Sequence, residues 1–406
     1  MQDLSFAFAE ASGALQGTIS REEKRLRSFV DAELECIEQD EKRHYRFRRT
    51  DGDRSNGIQS QIASYRSFFL ASKELERSRA SRESLPRMLF MALGAAYDSY
   101  LRAAVKSLLY LRPDVLERSG TNPAEAAATP FGALQAAREY LAEQEAERLA
   151  AQTYPGQLAA LENAFGIPVK DELLLSPDFV QVMAGKEVCA RQNGLISEGY
   201  LKLCAGHGAE VEGIKPGDRL TITQDYFCRA YELIYEAGVK LGHLLWRGVV
   251  PQQVSEANAS LQELTFSLIQ ARQYPLASKL LSFANTGLRE HLDDNNRVVF
   301  LFNSALTEYL AGNKDECSRL LNSEDWSTRA EILQLACCVL HEHFEDAANL
   351  MRRLGRENRP SKAEYLRWPL FEQFRKTEQF SSAFKDVFGE VTLSETEVKP
   401  LSPAAS

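Results

Sequence analysis

The stretch KEVCARQNG, residues 186–194, gathers the side chains of this chain best suited to chemistry on a charged substrate. Lys186 and Arg191 supply two cations, Glu187 a carboxylate, and Gln192 and Asn193 neutral donors and acceptors. A lysine is a point charge and an arginine a planar fork of donors, so together they suit a phosphate. Arginine keeps its proton to above about pH 12 and cannot serve as a base. That leaves Glu187 as the only carboxylate in the stretch. On a helix it lies one turn from Arg191, where an ion pair is its simpler use. His207, in the loop CAGHGAEVEG, is the nearest histidine and the one stand-in for a ring that titrates near neutral pH.

Two other stretches invite chemistry. KRHYRFRRTDGDR, residues 42–54, carries six Lys/Arg against two Asp, with Tyr45 and Phe47 interleaved. Cations for phosphates and rings for bases are what single-stranded RNA requires, which makes Lys42, Arg43, Tyr45, Arg46, Phe47, Arg48 and Arg49 candidate RNA contacts. The plain alternative is the solvated basic end of a helix. In ACCVLHEHFED, residues 336–346, Cys337, His341 and Glu345 are spaced four apart, as ligands on one helical face would be. Leu335, Val339 and Leu340 mark the same segment as core, and cysteine is a common small core residue. The reading is therefore packing, with no metal and no cofactor. No Walker loop, GxGxxG element, GxSxG elbow or HExxH pair occurs.

The elements that must position these residues are helical. Ala, Leu, Glu, Arg and Gln dominate 406 residues, of which 44% are hydrophobic. The net charge of −9 argues against a whole-surface grip on nucleic acid and leaves room for a local basic patch. Seven scattered cysteines without CxxC spacing fit a reducing cytosol. The N-terminus lacks the basic start of a secretory signal, and no apolar run approaches the roughly 18 residues of a membrane span. The expectation is a cytoplasmic protein with no membrane association.

Along the chain, a capping box at Ser20 and Glu23 opens a first helix, and the polar loop at 50–57 precedes a second over 58–79. PRMLFMALGAAYDSYLRAAVKSLLYL places Leu89, Leu93, Tyr97, Leu101 and Val105 on one buried face. The Ala/Glu-rich stretch up to Tyr154 reads as a link, and TYPGQLAALENAFGIPV as a short helix. SPDFVQVMAGKEVCARQNG is a helix that starts near Ser176 and stops at Asn193-Gly194. KPGDRLTITQDYF is the one stretch with strand character: a turn at Pro216-Gly217, alternating Leu220 and Ile222, then Thr223 capping a helix over 225–246. Beyond residue 250 the pieces LIQARQYPLASKLL, EYLAGNKDECSRLL, VLHEHFEDAANLMR and QFRKTEQFSSAFKDVF align on Ala277, Cys317, Ala347 and Ala383. Intervals of 40, 30 and 36 residues scatter around the period of about 34 of tetratricopeptide helix pairs. The organisation is an N-terminal helical arm with the basic segment (1–56), a helical domain (57–249), tetratricopeptide-like repeats (250–390) and a disordered tail (391–406).

The run from about 85 to 246 resembles the HEPN domains of prokaryotic toxins and anti-phage defence proteins. The resemblance is carried, in order, by LGAAYDSYLRAAVKSLLYLRPDVL, the motif helix, GLISEGYLKL, and KPGDRLTITQDYF leading into the last helix. Many members carry Arg-Asn-x-x-x-His in the motif helix. Here Lys186 stands at the arginine position, Glu187 beside it, and Arg191 at the histidine position. The family implies a helical bundle that pairs two protomers and cuts RNA without metal, the ribose 2′-hydroxyl attacking the next phosphate. It also implies an acidic residue facing the motif cation, and Asp98 is expected to approach Lys186 or Arg191.

These residues give two expectations. The first is a HEPN-like binding or regulatory protein that no longer cuts, engaging RNA through Lys186 and Arg191 and a protein partner through the repeats, in a defence or toxin–antitoxin setting. The second is an active metal-independent ribonuclease that uses Glu187 or His207. A plain helical scaffold is the third alternative.

Overall fold

The computed structural model describes residues 86–118, 134–168, 176–355 and 360–389. The first two expected helices, the basic segment at 42–54 and the tail from 391 lie outside the described residues. The chain divides into two units between Pro251 and Gln252. Both are mainly α, as the composition requires, and no described helix is long and apolar enough to cross a membrane.

In unit 1 a helix occupies residues 86–111 (α1). It is followed by α2 (Pro113–Arg118), α3 (Leu134–Ala150), α4 (Tyr154–Phe165), α5 (Pro177–Gln192), α6 (Glu198–Gly206) and α7 (Gln224–Val249). Of the expected α1 stripe Leu93, Tyr97, Leu101 and Val105 are core and Leu89 is half-buried, while Phe90 and Leu108 join the core beside them. The stretch read as a link up to Tyr154 contains α3. Its Ala, Leu, Glu and Arg are the strongest helix formers, and a weakly amphipathic sequence of that kind shows little periodicity to count. The side chains of Ser176, Ser197 and Thr223 accept the Phe179, Tyr200 and Tyr226 amides and start α5, α6 and α7. Residues 234–243 of α7 are buried on every face, so this helix runs through the interior of unit 1.

The expected strand does not form. Among the described residues β pairing is a single antiparallel bridge, Leu195 to Arg219, flanked by amide bonds from Leu220 to Gly194 (2.8 Å) and from Ile196 to Asp218 (2.8 Å). Leu220 and Ile222 do alternate, but their partner segment runs only from Gly194 to Ile196 before Ser197 opens α6. A ladder needs two strands, and one of them is missing.

Unit 2 is a succession of packed helices: α8 (Val254–Gln270), α9 (Tyr274–Thr286), α10 (Asp294–Ala311), α11 (Lys314–Leu321), α12 (Glu331–Leu340), α13 (Phe344–Leu354), α14 (Lys362–Arg367) and α15 (Glu378–Phe388). One turn recurs between α8 and α9, α10 and α11, and α12 and α13. Its central residue is left-handed: Arg272 (φ 60°), Gly312 (φ 91°) and Glu342 (φ 61°). The next amide reaches back five residues each time, Gln273 to Leu268 (2.9 Å), Asn313 to Glu308 (2.8 Å) and His343 to Cys338 (2.8 Å). Five residues past the left-handed position stand Ala277, Cys317 and Ala347, all buried where the second helix of each pair packs. The fourth piece departs from this turn. Short 3-10 turns at Pro369–Phe371 and Phe374–Lys376 replace the first helix, although Ala383 is equally buried. Pro369 cannot donate to a continuing helix, and Tyr365, Phe371, Phe374, Phe380 and Phe384 fill the space instead.

Gly312 adopts a backbone conformation that Ala reaches only with strain, and no neighbouring atom lies within 4 Å of where its Cβ would stand. Gly312→Ala is expected to destabilise the chain by about 1 kcal/mol in a urea titration. The same substitution at exposed Gly206, inside helical backbone with equal space, is expected to be neutral or slightly stabilising.

Candidate functional site

The site is a seam between α1 and α5. Three contacts show that the two helices run antiparallel: Arg87 Nη1 donates to the Asn193 carbonyl (2.7 Å), Gly94 abuts the Lys186 side chain, and the Tyr97 ring meets Phe179 (6.1 Å). α5 ends where Asn193 (φ 51°) and Gly194 (φ 81°) turn left-handed and the Gly194 amide returns to the Val188 carbonyl (3.1 Å).

Lys186 points into the seam and is 7% exposed. Its Nζ donates to both carboxylate oxygens of Asp98, at 2.8 and 3.0 Å. Glu187 Oε1 stands 3.3 Å from the same ammonium, and Glu187 Oε2 accepts from Arg191 Nε at 2.8 Å. The result is a chain of alternating charge, Asp98–Lys186–Glu187–Arg191, in which each cation meets a carboxylate. A Cβ on Gly94 would lie 2.2 Å from Lys186 Cδ, so the lysine stem passes through space that only glycine leaves open. Of the four groups Arg191 is the most exposed, at 73% of its side chain, and Glu187 is half exposed.

The remaining expected residues separate from this seam. Gln192 and Asn193 are exposed, and Asn193 serves the helix stop. His207 ends α6, with Nδ1 2.9 Å from the Leu203 carbonyl, and shares no hydrogen bond or ion pair with Lys186, Glu187 or Arg191. The candidate RNA residues Lys42, Arg43, Tyr45, Arg46, Phe47, Arg48 and Arg49 fall outside the described residues. The helical face drawn through Cys337, His341 and Glu345 is not built. α12 ends at Leu340 and Glu342 reverses the backbone, so the three residues sit on two different helices and the turn between them. Cys337 is buried, and desolvation pushes its thiol well above the usual range. No group of three or more potential metal ligands occurs among the described residues.

A second polar set, outside the expected site residues, lies in EAGVKLGHLLWR. Glu236, Lys240, His243 and Arg247 recur at helical spacing along one face of α7, and all four are buried. Lys240 Nζ meets Glu236 Oε1 at 2.8 Å. Arg247 Nη1 lies 2.8 Å from His243 Nδ1; an arginine can only donate, so Nδ1 accepts and the ring is neutral with its proton on Nε2. Burial first, and the adjacent guanidinium second, hold His243 down from its ordinary 6.5 to about 3. Desolvation also lowers Arg247 to about 10.

Comparison with family models, with curated proteins and with solved structures returns no match for this chain.

Two outcomes follow from this geometry. Asp98→Ala removes the bidentate partner of a nearly buried ammonium and is expected to cost about 2 kcal/mol, more than Glu187→Ala, whose carboxylate is half exposed. Chemical denaturation of both variants checks the order. His243 is neutral when folded and titrates near 6.5 when unfolded, so its contribution is complete above pH 6.5 and is lost as pH falls toward 3. Melting midpoints between pH 7.5 and 5 are expected to fall less steeply in His243→Gln, which keeps an acceptor for Arg247 and does not titrate.

Proposed function

We propose that this protein is a non-cutting adaptor: a HEPN-like unit 1 whose ribonuclease site is degenerate, joined to a tetratricopeptide-like unit 2 that holds a protein partner. A bacterial defence or toxin–antitoxin setting is what the resemblance implies. The observation that supports the reading most is the Lys186–Asp98 pair. Cleavage by internal 2′-hydroxyl attack needs a free cation at the phosphate and a group that gains a proton near pH 7. Lys186 is turned inward and neutralised, and Arg191 cannot take a proton. Glu187 is engaged by two cations, Lys186 and Arg191, as a structural partner. Loss of a general base alone reduces rates by about 10²–10⁴-fold.

The recurrent helical hairpins support the second half of the reading, because stacked helix pairs present a continuous face to a ligand. RNA contact at the motif helix, if made, runs through Arg191, since Lys186 is committed to Asp98.

Purified protein incubated with labelled single-stranded RNA in EDTA is expected to leave the RNA intact, with Glu187→Gln and His207→Ala indistinguishable from the parent. Metal-independent cleavage that disappears in either variant overturns the proposal and establishes an active ribonuclease.

A further inference from the structure

In a stacked helical array each pair of helices touches only its neighbours. The fourth piece of unit 2 obeys that rule through α15, which packs on α13 of the third hairpin. Its other half departs from it. The turn Pro369–Phe371 stands where a first helix is expected, and it packs on α12 of the third hairpin and also on α10 of the second. One residue further, Glu372 Oε2 lies 3.6 Å from Nη2 of Arg272, the left-handed residue that closes the first hairpin. Five residues, Trp368 to Glu372, thus reach back to all three hairpins, across the side formed by α10 and α12.

The attachment of this segment is narrow. Its main chain bonds within the fourth piece alone. The Trp368 amide donates to the Glu364 carbonyl (2.9 Å), Phe371 to Trp368 (3.1 Å) and Glu372 to Pro369 (3.0 Å). Arg375 Nη1 donates to the carbonyls of Tyr365 (3.1 Å) and Trp368 (3.0 Å). The ring contacts of Phe371 with Tyr365 and Trp368 are internal to the same piece. What fastens it to the hairpins is the burial of Leu370 and Phe371, 4% and 1% exposed, and the Arg272–Glu372 pair. Those two side chains are 73% and 34% exposed, and an ion pair so open to water adds little. The segment is therefore seated as a docked peptide is, with its backbone satisfied locally and its apolar side chains turned inward.

We propose that Trp368–Glu372 is an internal strap, which fills the face of α10 and α12 and which a protein ligand displaces in order to bind there. The displacing segment shares the chemistry of the strap: an aliphatic and an aromatic side chain, followed by a carboxylate that meets Arg272. The inference rests on the reading of unit 2 as the partner-binding module and specifies how that module is kept closed.

The probe is a fluorescent synthetic peptide of residues 365–376, titrated into the full chain. The parent, with its own strap in place, is expected to bind it about 10- to 100-fold more weakly than Leu370→Ser/Phe371→Ser, whose strap has lost its buried side chains. Arg272→Glu added to that variant is expected to weaken binding, and a peptide carrying Glu372→Arg to restore it. Equal affinity for the parent and the double variant overturns the strap and leaves unit 2 able to hold a ligand. Binding to neither overturns the strap and the partner-binding face together. If the double variant loses its helical circular-dichroism signal, Glu372→Arg decides alone: a gain of about two- to five-fold over the parent supports the strap, and no gain overturns it.

Discussion

Burying an ammonium group is costly unless a carboxylate meets it with good geometry. That constraint organises the seam between α1 and α5. Lys186 is nearly withdrawn from water, and both of its contacts with Asp98 are of hydrogen-bond length. To reach Asp98 the lysine stem must cross α1, and it crosses at Gly94, where any side chain would collide with it. Glu187 then links the buried ammonium to exposed Arg191, so charge alternates from the interior to the surface. Each member is placed by its neighbours, and of the two cations only Arg191 keeps exposed surface.

The interior of α7 follows the same constraint by a different route. Glu236 and Lys240 form an ion pair one helical turn long, whereas Arg247 leans on a neutral imidazole. Histidine can fill that role only while it stays unprotonated, and burial beside a guanidinium keeps it so. Unit 1 thus holds one polar set on the seam between α1 and α5 and another along buried α7. In unit 2 the organising constraint is backbone geometry. The left-handed turn at Arg272, Gly312 and Glu342 closes with the same amide bond each time and delivers a small residue to the same point of the following helix. Where glycine is absent, the side chain is used: Glu342 meets Lys314 (2.5 Å) and the Tyr309 hydroxyl (3.2 Å) across the hairpins.

Much of the helical framework was readable in one dimension because helix formation is local. Ser176, Asn193 and Thr223 announce their boundaries through side-chain types, and the α1 stripe through spacing. The misreadings share a cause. α3 lacks an apolar stripe to count, and the segment with strand character was judged by its own alternation, although a strand exists only if another segment pairs with it. A ligand face through Cys337, His341 and Glu345, which the sequence already sets aside in favour of packing, would also need a helix through Glu342, where the backbone reverses.

The candidate site divides along the same line. That an arginine at position 191 cannot serve as a base is a property of its side chain, and Glu187 pairing with it is a property of helical pitch; both follow from residue order alone. Whether Lys186 faces solvent or carboxylate, and that Gly94 makes the crossing possible, depend on residues far apart in sequence. Local chemistry sets what a side chain is able to do. Packing against distant segments sets its burial and its partner, and so whether it is free to do it.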